Sequence, residues 1–239
     1  MAKLSEQEML EKLCNYDTPS VGNVVATYPG NPLCLELYEP WRGNWYTDQS
    51  IHCIYPELGR TVGYAVTVVY SLPDPRYQYF SFIDLVEALG KSKKPSVVVI
   101  QQDFPPDILP RVGLCGGQMT AAFKACGAVA VVTNGPSRDV DEIRPLNFQY
   151  MMSGVTSGHG DFGIRAISEP VSVAGMDVVP GDVIHMDENG ACKFPADQIG
   201  NILENIVPFL TAEEERVRAL GAAKTIDDVK AVYTRAKQR

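Results

Sequence analysis

Two stretches restrict what this chain can fold into. Thr61–Tyr70 (TVGYAVTVVY) and Ser96–Gln101 (SVVVIQ) are nearly continuous runs of β-branched residues, the composition of strands. Between them Phe82–Leu89 sets Ile83, Val86 and Leu89 on one face at helical spacing. Strand, helix and strand in that order predict a crossover connection and a partly parallel sheet, hence an α/β fold.

The flanking sequence extends this pattern. Ser5-Glu6-Gln7-Glu8 is a capping box opening a short amphipathic helix with Met9, Leu10 and Leu13. Asp17-Thr18-Pro19-Ser20 starts a second helix, with a polar cap and proline in the first turn. Residues 29–60 are rich in Pro, Gly and aromatics with little periodicity, and read as a long connection packed on the surface. Gly116-Gly117 precedes an Ala-rich helical run, Gln118–Cys126, and Ala128–Thr133 (AVAVVT) follows as a buried strand. Asn134-Gly135-Pro136 then turns the chain and delivers Ser137-Arg138-Asp139 just past the strand end. Val171–Val179 and Val183–Asp187 alternate like strands around Pro180-Gly181-Asp182. Asp187–Gly190 is a further turn and Ala191–Phe194 a last short strand. From Pro195 onward the pattern is helical, with Glu213–Arg218 as a solvated charged face.

Composition excludes several classes of function. Of 239 residues, 45% are hydrophobic and 21% charged, as in ordinary globular proteins, so a substantial core is expected. A net charge of −8 argues against nucleic acid as the direct partner, because phosphate contacts need clustered Lys and Arg. It leaves room for a basic protein partner. The opening MAKLSEQEML has no apolar leader core, and no apolar run is long enough to span a bilayer. The six cysteines show neither a CxxC nor a zinc spacing, which predicts reduced thiols and a cytoplasmic location.

In open α/β sheets, sites gather at the carboxyl ends of strands. Two loops have that position. Leu114–Met119 carries the glycine pair into a helix, and its backbone N–H groups suit a carboxylate or enolate oxygen. Arg138-Asp139 is the other, with Asp141 and Glu142 close behind. Plainer readings stand beside these. Two glycines before a helix are commonly a tight turn, an Arg-Asp pair is commonly a weak surface ion pair, and Asp141 and Glu142 suit a helix start. His159 reads as an ordinary loop histidine, and His52 and His185 as structural or exposed.

Four stretches together resemble the RraA-like family, which includes the 4-hydroxy-4-methyl-2-oxoglutarate and 4-carboxy-4-hydroxy-2-oxoadipate aldolases. They are Gly63–Val68, Asp84–Leu89, Gly116–Gly127 with Asn134-Gly135 and Arg138–Ile143, and Gly154–Thr156 leading through Pro170–Gly175 to Pro180-Gly181-Asp182. The resemblance runs from about Leu13 to Pro195. It implies an α/β/β layered domain of the swivelling type over residues 1–195, with 196–239 a helical C-terminal extension. It also implies a homotrimer or hexamer with sites at subunit interfaces. Asp139 would bind Mg²⁺ or Mn²⁺, and Arg138 would grip the carboxylate of a small 2-oxo acid. Amides of Gly116, Gly117, Gln118 and Met119 would hold the same substrate.

The implied activity is a metal-dependent lyase that decarboxylates or cleaves an oxaloacetate-type 2-oxo diacid to pyruvate, with Arg138 and Asp139 catalytic. The alternatives are retro-aldol cleavage of a 4-hydroxy-2-oxo diacid and a non-catalytic protein that binds and regulates a ribonuclease. One position departs from the pattern. The aldolases commonly carry an acidic residue about 21 positions before the arginine, where this chain has Gly117. Asp103 and Asp107, in the longer Gln101–Gly113 stretch, are the substitutes the sequence offers.

Overall fold

A computed structural model describes residues 4–26, 28, 30–41 and 44–236; the first three residues of the opening stretch and the last three of the helical tail lie outside it. Helices α1 (Glu6–Leu13) and α2 (Thr18–Val25) start where their caps predict. Ser5 and Glu8 form the reciprocal capping box, and Asp17 accepts from Ser20 N at 2.9 Å. The 29–60 stretch is largely irregular, with one short strand, β1 (His52–Cys53). It is not confined to the surface, which corrects the sequence reading. Trp45, Ile51 and Tyr55 are buried, and Trp45 Nε1 donates to Glu39 O at 3.0 Å. Large aromatics remove more apolar area from water than the loop's polar residues can hold at the surface.

The crossover is present as expected: β2 (Thr61–Ser71), α3 (Phe82–Lys91), then β3 (Ser96–Asp103), with β2 and β3 parallel in register Tyr64↔Ser96 through Ser71↔Asp103. Next come α4 (Gly117–Ala125), β4 (Ala128–Thr133), α5 (Val140–Ile143) and β5 (Gln149–Met152). The order β2-β3-β4-β5 is all parallel, so four carboxyl ends share one edge. β1 closes the far side antiparallel to β5. β6 (Gly163–Ile167) pairs with the second half of β2, and β9 (Val183–Asp187) with its first half, followed by β10 (Gly190–Phe194).

Val171–Val179 is not one strand but a hairpin, β7 (Val171–Val173) and β8 (Met176–Val178). Ala174 and Gly175 both take positive φ, 48° and 79°, the left-handed pair that turns a two-residue hairpin. This small sheet makes the third layer. Val66, Val68, Val98, Ile100 and Val131 face Leu85, Leu89 and Phe123 of α3 and α4. Their alternate neighbours Ala65, Val69, Val97, Val99, Ala130 and Val132 face Val171, Val173, Met176 and Val178. The strand period of two thus sends successive side chains into two cores, and continuous apolar runs are its consequence. Val97 through Ile100 are each at 0% exposure, and burying such a side chain stabilises by about 1.5–3 kcal/mol. The layering is α/β/β, as the resemblance implied.

A third core joins α1 and α2 to the first half of α6 (Ile199–Ala222), through Leu10, Leu13, Val21, Ile202 and Ile206 against Val62, Val183 and Phe194. Helix α7 (Ile226–Ala236) follows. All six cysteines are free thiols. Among the described residues no helix is long and apolar enough to cross a membrane.

His185 is structural and fully buried. Its Nε2 lies 3.2 Å from Leu13 O and its Nδ1 2.9 Å from Thr18 Oγ1, while Asp187 Oδ2 accepts from Thr18 N at 2.7 Å. A carbonyl only accepts, so Nε2 carries the hydrogen and Nδ1 accepts from the Thr18 hydroxyl. Burial lowers the His185 pKa below its ordinary value of 6.5, because the charged ring would lose its water. The unfolded chain therefore binds a proton that the folded chain refuses. This contribution to stability is fully present above pH 6.5 and is lost as pH falls below it. Urea midpoints measured from pH 7.5 to 5 should fall, with a shallower fall in His185→Gln; equal slopes in both proteins would assign the loss to other groups.

Candidate functional site at the parallel edge

Three loops leave the shared edge after β3, β4 and β5, and hydrogen bonds fasten them to one another. Ser137, fully buried, donates through Oγ to Cys115 O at 2.9 Å and through its amide to Gly154 O at 3.0 Å, and its carbonyl accepts from Thr156 N at 3.0 Å. Leu114 N donates to Pro136 O at 3.2 Å. Tyr150 of β5 donates to Cys115 O at 2.8 Å and shares a 2.6 Å hydrogen bond with Thr120 Oγ1. Beneath them Gln102 and Asn134 pair reciprocally, Gln102 N to Asn134 Oδ1 at 2.7 Å and Asn134 Nδ2 to Gln102 O at 3.1 Å.

This frame brings the glycine loop and the Arg-Asp pair together. Asp139 Oδ2 accepts from Gly117 N at 3.1 Å and from Arg138 Nε at 3.3 Å. A Cβ on Gly116 would stand 2.2 Å from that same oxygen, so only glycine admits the carboxylate so close to the start of α4. The helix terminus favours negative charge there. Asp139 has φ 60° and ψ 37°, a left-handed backbone that Asp tolerates better than most residues. Its second oxygen and the terminal nitrogens of Arg138 make no hydrogen bond or ion pair among the described residues. Arg138 and Asp139 side chains are 34% and 29% exposed, so both can be reached from solvent.

The other expected residues fall as follows. Gln118 and Met119 occupy the first turn of α4, where backbone N–H groups have no intrahelical acceptor; Gln118 is exposed and Met119 packs on the core below. Asp103 pairs with Arg165 at 2.7 Å, and Asp107 is exposed beyond the end of β3. His159 is exposed, edge-on to Phe162 at 5.8 Å. Cys115 is buried and its thiol is pushed up to about 12, so it is not a nucleophile. A cleft of about 610 Å³ between α3 and the β2–β6 edge, lined by Tyr64, Phe80, Asp84, Lys91 and Pro180 among others, shares no residue with this site.

Glu142 is the residue whose place the sequence reading missed. A Cβ on Gly117 would meet Glu142 Oε2 at 2.2 Å and Glu142 Cβ at 3.1 Å, so this side chain lies across the glycine. The signal was a further carboxylate three positions after Asp139, in the short helix that follows it. Among the described residues no three of His, Cys, Asp and Glu gather closely enough to enclose a metal. The donor set instead fits a hydrated hard cation held by few carboxylate oxygens, the habit of Mg²⁺.

A sequence model of the RraA-like family, described as Aldolase/RraA, matches residues 36–192. Protein DlpA of Legionella pneumophila is 25% identical over 176 residues, 73% of this chain and 28% of that one. A Halalkalibacterium halodurans protein provisionally named 4-hydroxy-4-methyl-2-oxoglutarate aldolase is 30% identical over 108 residues, 45% of this chain and 51% of that one. The chain thus spans about a quarter to a half of these relatives' own lengths. The crystal structure of Streptomyces coelicolor RraAS2, described as an unusual member of the RNase ES inhibitor RraA protein family, superposes with a TM-score of 0.67 at 21% identity. The match covers 88% of this chain and 98% of that one, and it shows the shared fold.

The loop frame is tested at Gly135, where a Cβ would meet the buried Gln102 side chain at 2.3 Å. Overpacking of this kind costs about 1–3 kcal/mol, so Gly135→Ala should lower Tm by roughly 2–10 °C in a calorimetric scan. An unchanged Tm would mean that Gln102 does not hold the loop.

Proposed function

The chain belongs to the RraA-like, Aldolase/RraA family, and on that footing we propose that it is a divalent-metal-dependent carbon–carbon lyase converting a small oxaloacetate-type 2-oxo diacid to pyruvate. The observation that carries the proposal is one carboxylate serving two loops: Asp139 Oδ2 accepts from Gly117 N at 3.1 Å and Arg138 Nε at 3.3 Å, and leaves its second oxygen unengaged. Asp139 would hold Mg²⁺ or Mn²⁺, which when bound supplies Lewis-acid polarisation of the substrate keto oxygen.

The chain's own groups do the remainder. Arg138 offers its terminal nitrogens to the substrate carboxylate, a planar bidentate match that lysine cannot give. The amides of Gln118 and Met119 at the start of α4 would hold the same substrate, as donors suited to its carboxylate end. Loss of CO₂ from the carbon next to the carbonyl leaves a pyruvate enolate, and solvent can reach the exposed site to protonate it. Decarboxylation needs no base at a hydroxyl, so Gly117 in place of an acidic residue does not weaken this step. A homotrimer or hexamer with the site near an interface belongs to the same proposal. So does a domain spanning 1–195 with 196–239 as its helical extension.

The non-catalytic alternative, a regulator that binds a ribonuclease, gives an opposite expectation: no pyruvate from any 2-oxo diacid with Mg²⁺ or Mn²⁺. For the lyase, Asp139→Asn keeps a residue that tolerates the left-handed backbone. It should leave Tm nearly unchanged and cut Mg²⁺-dependent pyruvate release about 10²–10⁴-fold, the value of several kcal/mol of charge stabilisation. Arg138→Ala should chiefly raise KM for oxaloacetate, by about 10- to 100-fold, as for loss of a charge-assisted hydrogen bond. Wild-type rates in Asp139→Asn would sink the proposed metal site.

A further inference from the structure

We infer that this protein has a second binding site, an aromatic cavity that takes an uncharged nucleobase-type heterocycle as the free base or its nucleoside. The cavity measures about 270 Å³ and lies between α2, the irregular stretch before β1 and the turn from β9 to β10. It shares no residue with the Arg138–Asp139 loops, and its chemistry is independent of theirs. Three observations carry it. The walls are aromatic: Tyr28, Trp45 and Tyr46 line the space with Pro40, and Tyr28 and Tyr46 are 39% and 43% exposed. The polar groups of the lining are uncommitted. The Asn23 amide and the phenol oxygens of Tyr28 and Tyr46 make no hydrogen bond among the described residues. Asn189 spends its amide nitrogen on Asp187 Oδ1 at 3.1 Å and leaves its amide oxygen open. Finally, no charged side chain lines the cavity among the described residues.

The aromatic wall is fixed before any ligand arrives. Trp45 stacks on Tyr38 with ring centres 5.7 Å apart and planes within 7°, and its Nε1 donates to Glu39 O at 3.0 Å. Tyr46 meets Trp45 edge-on at 4.7 Å. The next residue, Thr47, donates its amide to Ala191 O at 2.9 Å and accepts at its hydroxyl from Ala191 N at 3.0 Å. A wall already in place spares the ligand the cost of ordering it. Each feature then narrows what fits. Pockets for drug-sized molecules run to about 300–1,000 Å³, so this one has room for a single ring system. Nucleobases stack on aromatic side chains, and a carboxamide matches the adjacent donor and acceptor on a base edge. A wholly apolar ring would leave the amide and the two phenols unpaired. A phosphate would find no cation in the lining, so a nucleotide gains nothing over its nucleoside. Burial first, then the neighbouring Cys34 and Tyr46, raise the Tyr28 pKa above its ordinary 10.0, which keeps that phenol neutral at physiological pH.

The test is isothermal titration calorimetry of the purified full chain with adenosine, guanosine, cytidine and uridine in turn. At least one should bind one-to-one with a Kd at or below about 1 mM, and its 5′-monophosphate should bind no more tightly. Tyr46→Leu keeps an apolar contact for Trp45 but removes the ring, and should weaken that binding about 5- to 100-fold, as for a lost base–aromatic stack. Asn23→Ala should weaken it by a similar factor of about 5 to 100, as for a lost base-edge pair. Should Tyr46→Leu lower Tm, Asn23→Ala decides alone. Failure of all four nucleosides to bind overturns the inference, as does binding that the folded variants leave unchanged. Methyl glucoside binding as tightly as the best nucleoside overturns it in favour of a sugar pocket. Displacement of the nucleoside by oxalate with Mg²⁺ would put it at the parallel edge, and overturns it too.

Discussion

The hydroxyl of Ser137 donating to the carbonyl of Cys115 is the contact on which the site geometry depends. The backbone of Ser137 also ties its loop to the loop after β5, its amide donating to Gly154 O and its carbonyl accepting from Thr156 N. Each such hydrogen bond contributes only about 0.5–1.5 kcal/mol net, but a buried partner left unsatisfied costs about 1–3 kcal/mol. Against them stand two left-handed residues facing each other, Cys115 at φ 64° and Asp139 at φ 60°. Left-handed backbone costs roughly 1–2 kcal/mol per residue. The latch and the strain are therefore of the same size, and the loops hold because several bonds converge on one buried serine.

That balance explains why the Arg138–Asp139 pair is better understood as a positioning device than as a stabilising ion pair. A half-exposed pair at 3.3 Å contributes at most about 1 kcal/mol once solvent screening is counted. The left-handed turn at Asp139 costs as much or more. Stability alone would favour relaxing the turn. Keeping it aims one carboxylate oxygen at the Gly117 amide and leaves the other outward, and strained backbone of this kind is tolerated where surrounding structure over-determines it.

Much of this was legible in local patterns. The β-branched runs of β2, β3 and β4, the helix caps at Ser5 and Asp17 and the glycine pair before α4 each follow from forces acting within a few residues. β5 and β6 were not legible. Gln149–Met152 has no β-branched residue, and it is a strand because Tyr150 and Met151 sit beside β4 with Tyr150 anchored on Thr120 and Cys115. Gly163–Ile167 is a strand because β2 is longer than β9 and leaves Val68–Ser71 needing a partner. Both are tertiary decisions. The burial of Trp45 and Tyr55 in an apparently irregular stretch is another. At the site, the sequence named Arg138, Asp139 and the glycines, because their chemistry is carried by residue type. It could not place Glu142, whose role depends on a contact across 25 positions.

Gly117 and Glu142 are best treated as one choice. Read along the chain, a glycine where the resemblance leads one to expect an acid is a lost carboxylate. Read in space, the volume that a side chain at 117 would enter already holds a carboxylate, delivered from the opposite loop by α5. A side chain at 117 would meet Glu142 Oε2 at 2.2 Å, so the exposed Glu142 carboxylate would have to swing aside. Either arrangement brings a carboxylate to the same end of α4. Delivery from α5 has a further consequence. Glu142 is tied through its backbone amide to Asp139 O, and the Asp139 carboxylate itself accepts from Gly117 N at 3.1 Å. A side chain on α4 would instead move with the glycine amides.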